Sequence, residues 1–172
     1  MIIIMAGLPG TGKTTLARAL AERLSGVVLN KDDIRSALFP AGDIEYSTEQ
    51  DDFCIEIMLQ TAAYLLRKNP LRIVFLDGRP FAKKAQVDAV VQRAEAMHQK
   101  WCILECVCSE AIARQRLAAD QTHPAADRNF TLYLRIKDSF EPITARKTVI
   151  DTDQPLELCV SRAIPAIEAA NI

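Results

Sequence analysis

The stretch Gly7-Leu8-Pro9-Gly10-Thr11-Gly12-Lys13-Thr14-Thr15 constrains this chain more than any other part of it. It satisfies the pattern G-x-x-x-x-G-K-[ST] in a context that gives the pattern meaning. The apolar run Ile2–Ala6 precedes it, and residues 13–24 follow with Leu16, Ala17, Leu20 and Leu24 at helical spacing. Gly10 and Gly12 let the backbone curl until successive N–H groups face one concavity, a shape that binds phosphate oxygens. A helix starting near Lys13 adds its positive N-terminal end to the same anion. Lys13 has the reach to bridge β- and γ-phosphates, the Thr14 hydroxyl suits Mg²⁺, and Leu8, Pro9, Thr11 and Thr15 complete the cradle. The pattern therefore predicts a strand–loop–helix unit that binds ATP or GTP.

The rest of the chain repeats the same alternation. Short apolar runs at Val27–Asn30, 73–77, 101–108 and 148–151 read as buried parallel strands, several ending in polar or small residues. Between them, Lys31–Leu38, Thr48–Lys68 and 83–99 carry apolar residues at helical spacing, which predicts βαβ units in a mostly parallel three-layer sheet. A length of 172 residues suits one domain, read as spanning 1–172. The formal net charge of −1 argues against a protein that grips nucleic acid through a broadly electropositive surface. Five cysteines make no disulfide framework, and the opening apolar residues are too few to span a bilayer. The expectation is a cytoplasmic, reduced protein without a membrane segment; its oligomeric state is left open.

A nucleotide site does not name a reaction. The length leaves no room for the helical lid domain of a motor ATPase. The one Asn-Lys-x-Asp match, at residues 30–33, comes too early to serve as a guanine motif. A kinase remains. Its acceptor side is sought in Asn30-Lys31-Asp32-Asp33-Ile34-Arg35, where a strand delivers Asp32 to the carboxyl edge of the sheet. A carboxylate there can accept the proton of an attacking hydroxyl or hold Mg²⁺ through water. Asp33 should point elsewhere and cap the short helix. Arg35, one turn on, should share the cleft with Asp32 and suits an anionic or hydroxylated acceptor. The strand ending Leu76-Asp77-Gly78-Arg79 adds Asp77, for metal or substrate, and Arg79, for an anionic group. The competing reading makes Asp77 the cap of a helix at Pro80.

The pairing of Gly-x-Pro-Gly-Thr-Gly-Lys-Thr-Thr with Asn-Lys-Asp-Asp-Ile-Arg resembles the kinase domain of polynucleotide 5′-hydroxyl kinases. It also resembles the wider group of small P-loop kinases that includes zeta toxins, chloramphenicol phosphotransferase and gluconate kinases. The likeness follows the order of elements along most of the chain, with specific motifs in these two stretches. It implies a three-layer α/β/α P-loop nucleoside-triphosphate hydrolase fold, with a five-stranded parallel sheet in order 2-3-1-4-5 and a short lid near 114–130. It also implies ATP and Mg²⁺, Asp32 as general base, and Arg35 as the residue that positions the acceptor. By the same likeness, Arg114 packs on the adenine, Arg128 or Arg116 contacts the γ-phosphate, and residues 152–155 underlie the base.

The acceptor expected here is a small hydroxylated metabolite such as a sugar, sugar acid, nucleoside or antibiotic. A polynucleotide end is the alternative, disfavoured by the near-neutral charge and the 6% aromatic content available for base stacking. A nucleotide-gated regulatory or toxin-like protein is a third possibility. Cys102, Cys106 and Cys108 share a strand face, but one strand cannot wrap three ligands around an ion, so they read as buried small hydrophobes. His98 and His123 stand too far apart for a histidine-based site.

Overall fold

The computed structural model describes residues 1–119 and 129–171. Five strands, β1 (Ile2–Ala6), β2 (Val27–Asn30), β3 (Val74–Asp77), β4 (Trp101–Val107) and β5 (Lys147–Asp151), alternate with seven helices. These are α1 (Lys13–Arg23), α2 (Lys31–Leu38), α3 (Thr48–Lys68), α4 (Lys84–Ala96), α5 (Glu110–Ala119), α6 (Phe130–Asp138) and α7 (Leu156–Asn171). The strands form one sheet in the order β2-β3-β1-β4-β5, every pair parallel. The expected three-layer α/β/α architecture and strand order are both present.

β1 shows why an unbroken apolar run makes the central strand. Successive side chains on a strand point to opposite faces, so a strand covered on both sides must be apolar throughout. Ile3 and Met5 pack with Leu16 and Leu20 of α1 and with Val160 and Ala163 of α7. Ile2 and Ile4 pack on the other face with Met58 and Ala62 of α3 and with Val87 and Val90 of α4. All five β1 residues are fully buried, each large side chain contributing about 1.5–3 kcal/mol.

Several boundaries differ from the sequence reading, each for a local reason. α4 stops at Ala96 because Met97 caps it and His98 turns left-handed at φ 53°. No helix begins at Pro80; α4 starts at Lys84, whose preceding amide is met by the Gln86 side chain, so Asp77 caps nothing. The cap of α2 is Asn30, whose side chain accepts from the amides of Asp32 and Asp33, and Asp33 itself is exposed. β4 ends at Val107, which takes Cys108 off the strand face predicted for it. Residues 120–128, with Arg128 and His123, lie outside the described residues. Among the described residues no helix is long and apolar enough to cross a membrane.

Candidate functional site

The loop between β1 and α1 is bent by glycines that nothing else can replace. Gly7 has φ 126°, and a Cβ there would lie 2.2 Å from the Cys106 carbonyl oxygen on β4. Gly7→Ala is therefore expected to cost about 3 kcal/mol of stability, from overpacking and backbone strain together. A shift of the denaturation midpoint checks it. Gly12, at φ 76°, stands at the head of α1, where no side chain caps the helix and the first turn holds no acidic residue. The first amides of α1 and its positive end are thus presented to the loop. Lys13 is buried, its ammonium donating to the carbonyls of Gly7 and Leu8 at 2.8 Å each. The Thr11 hydroxyl donates to the Leu8 carbonyl at 2.7 Å, which closes the turn. Thr14 and Thr15 occupy the first turn of α1, Thr14 half-buried and Thr15 exposed.

Beside the loop, towards β5, lies a cavity of about 280 Å³ lined by Gly10, Gly12, Thr15, Arg116, Thr152 and Gln154, among others. Two side chains hold its shape. The Arg116 guanidinium reaches from α5 to donate to the Thr152 hydroxyl at 3.1 Å and its carbonyl at 2.7 Å. The Thr152 hydroxyl in turn lies 2.9 Å from the Thr11 carbonyl, tying the β5–α7 turn to the phosphate loop. Arg114 takes no part in the lining. It lies over the Phe130 ring at 3.8 Å and pairs loosely with Glu110 at 4.0 Å, because two helical positions turn it to the far side of α5 from Arg116.

On the other side of the loop, towards β2, the acceptor candidates come together. β2 and β3 pair so that Asn30 faces Asp77 across the sheet. The Asn30 amide donates to one Asp77 carboxylate oxygen at 2.8 Å while its own carbonyl oxygen caps α2, so one side chain fixes both elements. Asp32 and Arg35 are buried and joined at 2.8 Å along α2. Their partner Asp51 was not singled out from sequence. It stands in the first turn of α3, 2.7 Å from the Lys31 ammonium and in direct contact with the second terminal nitrogen of Arg35. Lys31 also lies 3.4 Å from Asp32, and the Tyr46 ring sits 5.2 Å from the Arg35 guanidinium. Arg79 is buried and pairs through one terminal nitrogen with Asp52 at 2.6 Å. The acids at the start of α3 look in sequence like ordinary helix-dipole complements. Only the approach of α3 to α2 and to the end of β3 gives two of them basic partners.

Two tests bear on bound groups. The second oxygen of Asp77 is buried with no hydrogen-bond partner among the described residues, an arrangement that costs energy unless something meets it. Asp77 ends β3, which pairs with β1, and Lys13 follows the loop that leaves β1. Among the described residues no group of three or more His, Cys, Asp or Glu side chains is arranged to hold a metal. One buried carboxylate at the end of β3 and a Thr14 hydroxyl in the first turn of α1 suit an ion that arrives with a nucleotide's phosphates, as Mg²⁺ does. The cysteines fit no metal: burial pushes the Cys102 thiol up to about 11 and the Cys106 thiol up to about 12, so both stay neutral packing groups.

A glycine-cradled helix N-terminus on a parallel sheet, flanked by a cavity on one side and a buried carboxylate cluster on the other, defines the class of P-loop nucleotide-binding proteins. A family described as AAA domain matches residues 2–143, and the chain belongs to that family. No curated protein matches its sequence. Among solved structures, a gluconokinase from Sinorhizobium meliloti superposes with a TM-score of 0.68 at 16% identity, covering 99% of this chain and 92% of its own. A sugar kinase from Janibacter gives 0.71 at 16% identity, with 99% and 95% covered. The APS kinase of Mycobacterium tuberculosis, in complex with AMPPNP and APS, gives 0.73 at 13% identity, with 97% and 96% covered. The chain therefore has the fold of small P-loop kinases, as its two motifs led us to expect.

Proposed function

We propose that this protein transfers the γ-phosphoryl group of ATP, with Mg²⁺, to a hydroxyl of a small metabolite. The observation that carries the reading is Asp32. It is a buried carboxylate gripped by Arg35 and Lys31, at the carboxyl edge of the sheet one strand beyond β3 from the strand that bears the phosphate loop. That is where an acceptor hydroxyl must stand to meet a γ-phosphoryl group held by Lys13. The gluconokinase, sugar kinase and APS kinase that share the fold support a small acceptor over a polynucleotide, as does the formal net charge of −1.

In this reading the loop amides and Lys13 hold the phosphates. Thr14 and Asp77 are the residues that would hold Mg²⁺, which supplies charge neutralisation at the β- and γ-phosphates. Arg35 keeps the Asp32 carboxylate turned to the acceptor. The acceptor oxygen bonds to the γ-phosphorus as the bond from phosphorus to the β–γ bridging oxygen breaks, its proton passes to Asp32, and ADP leaves. The helices α5 and α6 frame the lid, and Arg116 forms the wall against which the base rests, with residues 152–155 beneath. Arg128 is retained as a γ-phosphate contact from the sequence alone.

Arg116→Ala should weaken ATP binding about tenfold, the value of losing a cation stacked on a ring, whereas Arg114→Ala should change it less than about twofold. Calorimetric titration of both variants distinguishes them. The activity itself is tested by measuring ATP consumption alone and with pooled hydroxylated metabolites, identifying the phosphorylated product by mass spectrometry. Stimulation by one pool supports the kinase; a slow rate indifferent to every pool overturns it and favours a nucleotide-gated switch.

A further inference from the structure

We propose that the acceptor side of this protein takes an uncharged polyhydroxyl compound and discriminates against acceptors bearing a carboxylate, phosphate or sulfate. The proposal rests on the kinase reading above and narrows its acceptor. Three cations, Lys31, Arg35 and Arg79, stand at the ends of β2 and β3, and from sequence they invite an anion. Each is already matched inside the protein. Lys31 lies 2.7 Å from Asp51 and 3.4 Å from Asp32, and Arg79 lies 2.6 Å from Asp52. Arg35 spends both terminal nitrogens, one on Asp32 at 2.8 Å and the other on Asp51. The end-on fork of two terminal nitrogens, by which an arginine grips a carboxylate or phosphate in parallel bonds, is thus already engaged at Arg35.

The charge count agrees. Lys31, Arg35 and Arg79 are offset by Asp32, Asp51 and Asp52, and Asp77 adds a further carboxylate at the neighbouring strand end. Among the described residues, these strand ends offer an anionic acceptor no cation beyond those three, the Lys13 ammonium being held by the phosphate loop. Such an acceptor must either break a buried ion pair or sit against carboxylates in a poorly solvated place, and both are costly.

What the cluster leaves unmet is different in kind. Among the described residues, buried side-chain atoms without a hydrogen-bond partner include the Nε of Arg35 and the Nε of Arg79. Both residues are more than nine-tenths buried. Each Nε offers one N–H beside an intact ion pair. A hydroxyl oxygen accepts one such bond without disturbing the pair, and its own proton is available to a carboxylate. An acid could accept the same N–H bonds, so the selection against it lies in the charge balance, and a neutral hydroxyl is the acceptor that uses these donors without adding charge beside the carboxylates.

The charge balance is tested with sulfate as the anion probe, titrated calorimetrically into protein whose phosphate loop is filled with AMPPNP and Mg²⁺. Wild type is expected to take up no sulfate at the acceptor side at millimolar concentration. Asp52→Asn, which releases Arg79 and alters a side chain that is 60% exposed, is expected to gain at least tenfold in sulfate affinity. Asp51→Asn, which releases Lys31 and Arg35, should gain at least as much. Wild-type uptake that Arg35→Gln or Arg79→Gln abolishes overturns the proposal, as does an Asp52→Asn variant that gains nothing. Turnover of the pairs glucose and gluconate, and ribose and ribose 5-phosphate, reads the same discrimination, with the uncharged member favoured at least tenfold in kcat/KM. Preference for the acid overturns the charge assignment and leaves the kinase reading standing. Absence of any acceptor-stimulated ATP consumption counts against the kinase reading instead, and the sulfate titration still decides the charge balance.

Discussion

Asp32→Asn is expected to cut phosphoryl transfer by about 10²–10⁴-fold, the range over which a positioned general base acts, while ATP binds close to its wild-type affinity. The separation of the two effects follows from the strand order. The phosphate loop rises from β1 in the middle of the sheet. The cavity lined by Arg116 and Thr152 lies on its β4–β5 side and Asp32 on its β3–β2 side, so a base bound in that cavity would have the loop between it and the carboxylate. Asparagine keeps the shape and still offers Arg35 a carbonyl oxygen, but it takes no proton. Single-turnover rates together with calorimetric ATP affinity separate the outcomes. Undiminished turnover would remove Asp32 from the mechanism; lost ATP binding would show that it acts through the loop.

Lys13→Ala should weaken both steps, lowering kcat/KM by about 10²–10³-fold, as losing one preorganised charge contact to a developing anion does. Two roles fall together here. In the proposed mechanism the ammonium is the cation for the β- and γ-phosphates, and in the structure it donates to the carbonyls of Gly7 and Leu8, which holds the loop in its curled form. Removing it takes away charge and loosens the cradle. A lysine-to-arginine change should not rescue it, because a planar fork does not fit the space of a compact point charge. The test is ATP affinity against turnover: a variant with intact binding and lost transfer would confine Lys13 to the transition state.

Some of this was written in local chemistry. An apolar run buried on both faces, three glycines with positive φ, and an uncapped helix beginning at Lys13 follow from residue type within one short window. The same holds for Asn30, although its capping role was first given to Asp33, because either short polar side chain can reach the amides and only the strand end decides which does. Arg114 and Arg116 were legible as lid arginines but not as opposite faces. Their assignment to the cavity depended on where α5 ends up relative to Thr152, more than thirty residues away.

The acceptor cluster shows the same division. Asp51, in the first turn of α3, and Asp52, just after it, carry no motif, and nothing local distinguishes them from the acidic start of any helix. Their meaning comes from the packing of α3 beside α2, which brings Asp51 to Arg35 and Asp52 to Arg79.

The sequence by itself therefore determined the phosphate loop, the alternation of strands and helices, and the placing of Asp32 at a strand's carboxyl end, since each is set by chemistry within one turn or one strand. Tertiary structure alone decided which cations are spent on neighbouring carboxylates, which arginine lines the cavity beside the phosphate loop, and that, among the described residues, two buried guanidinium donors and one carboxylate oxygen remain unmet. The physical reason is range. Backbone conformation is written over a few residues, whereas charge is balanced between side chains that the fold brings within about 3 Å from distant parts of the chain.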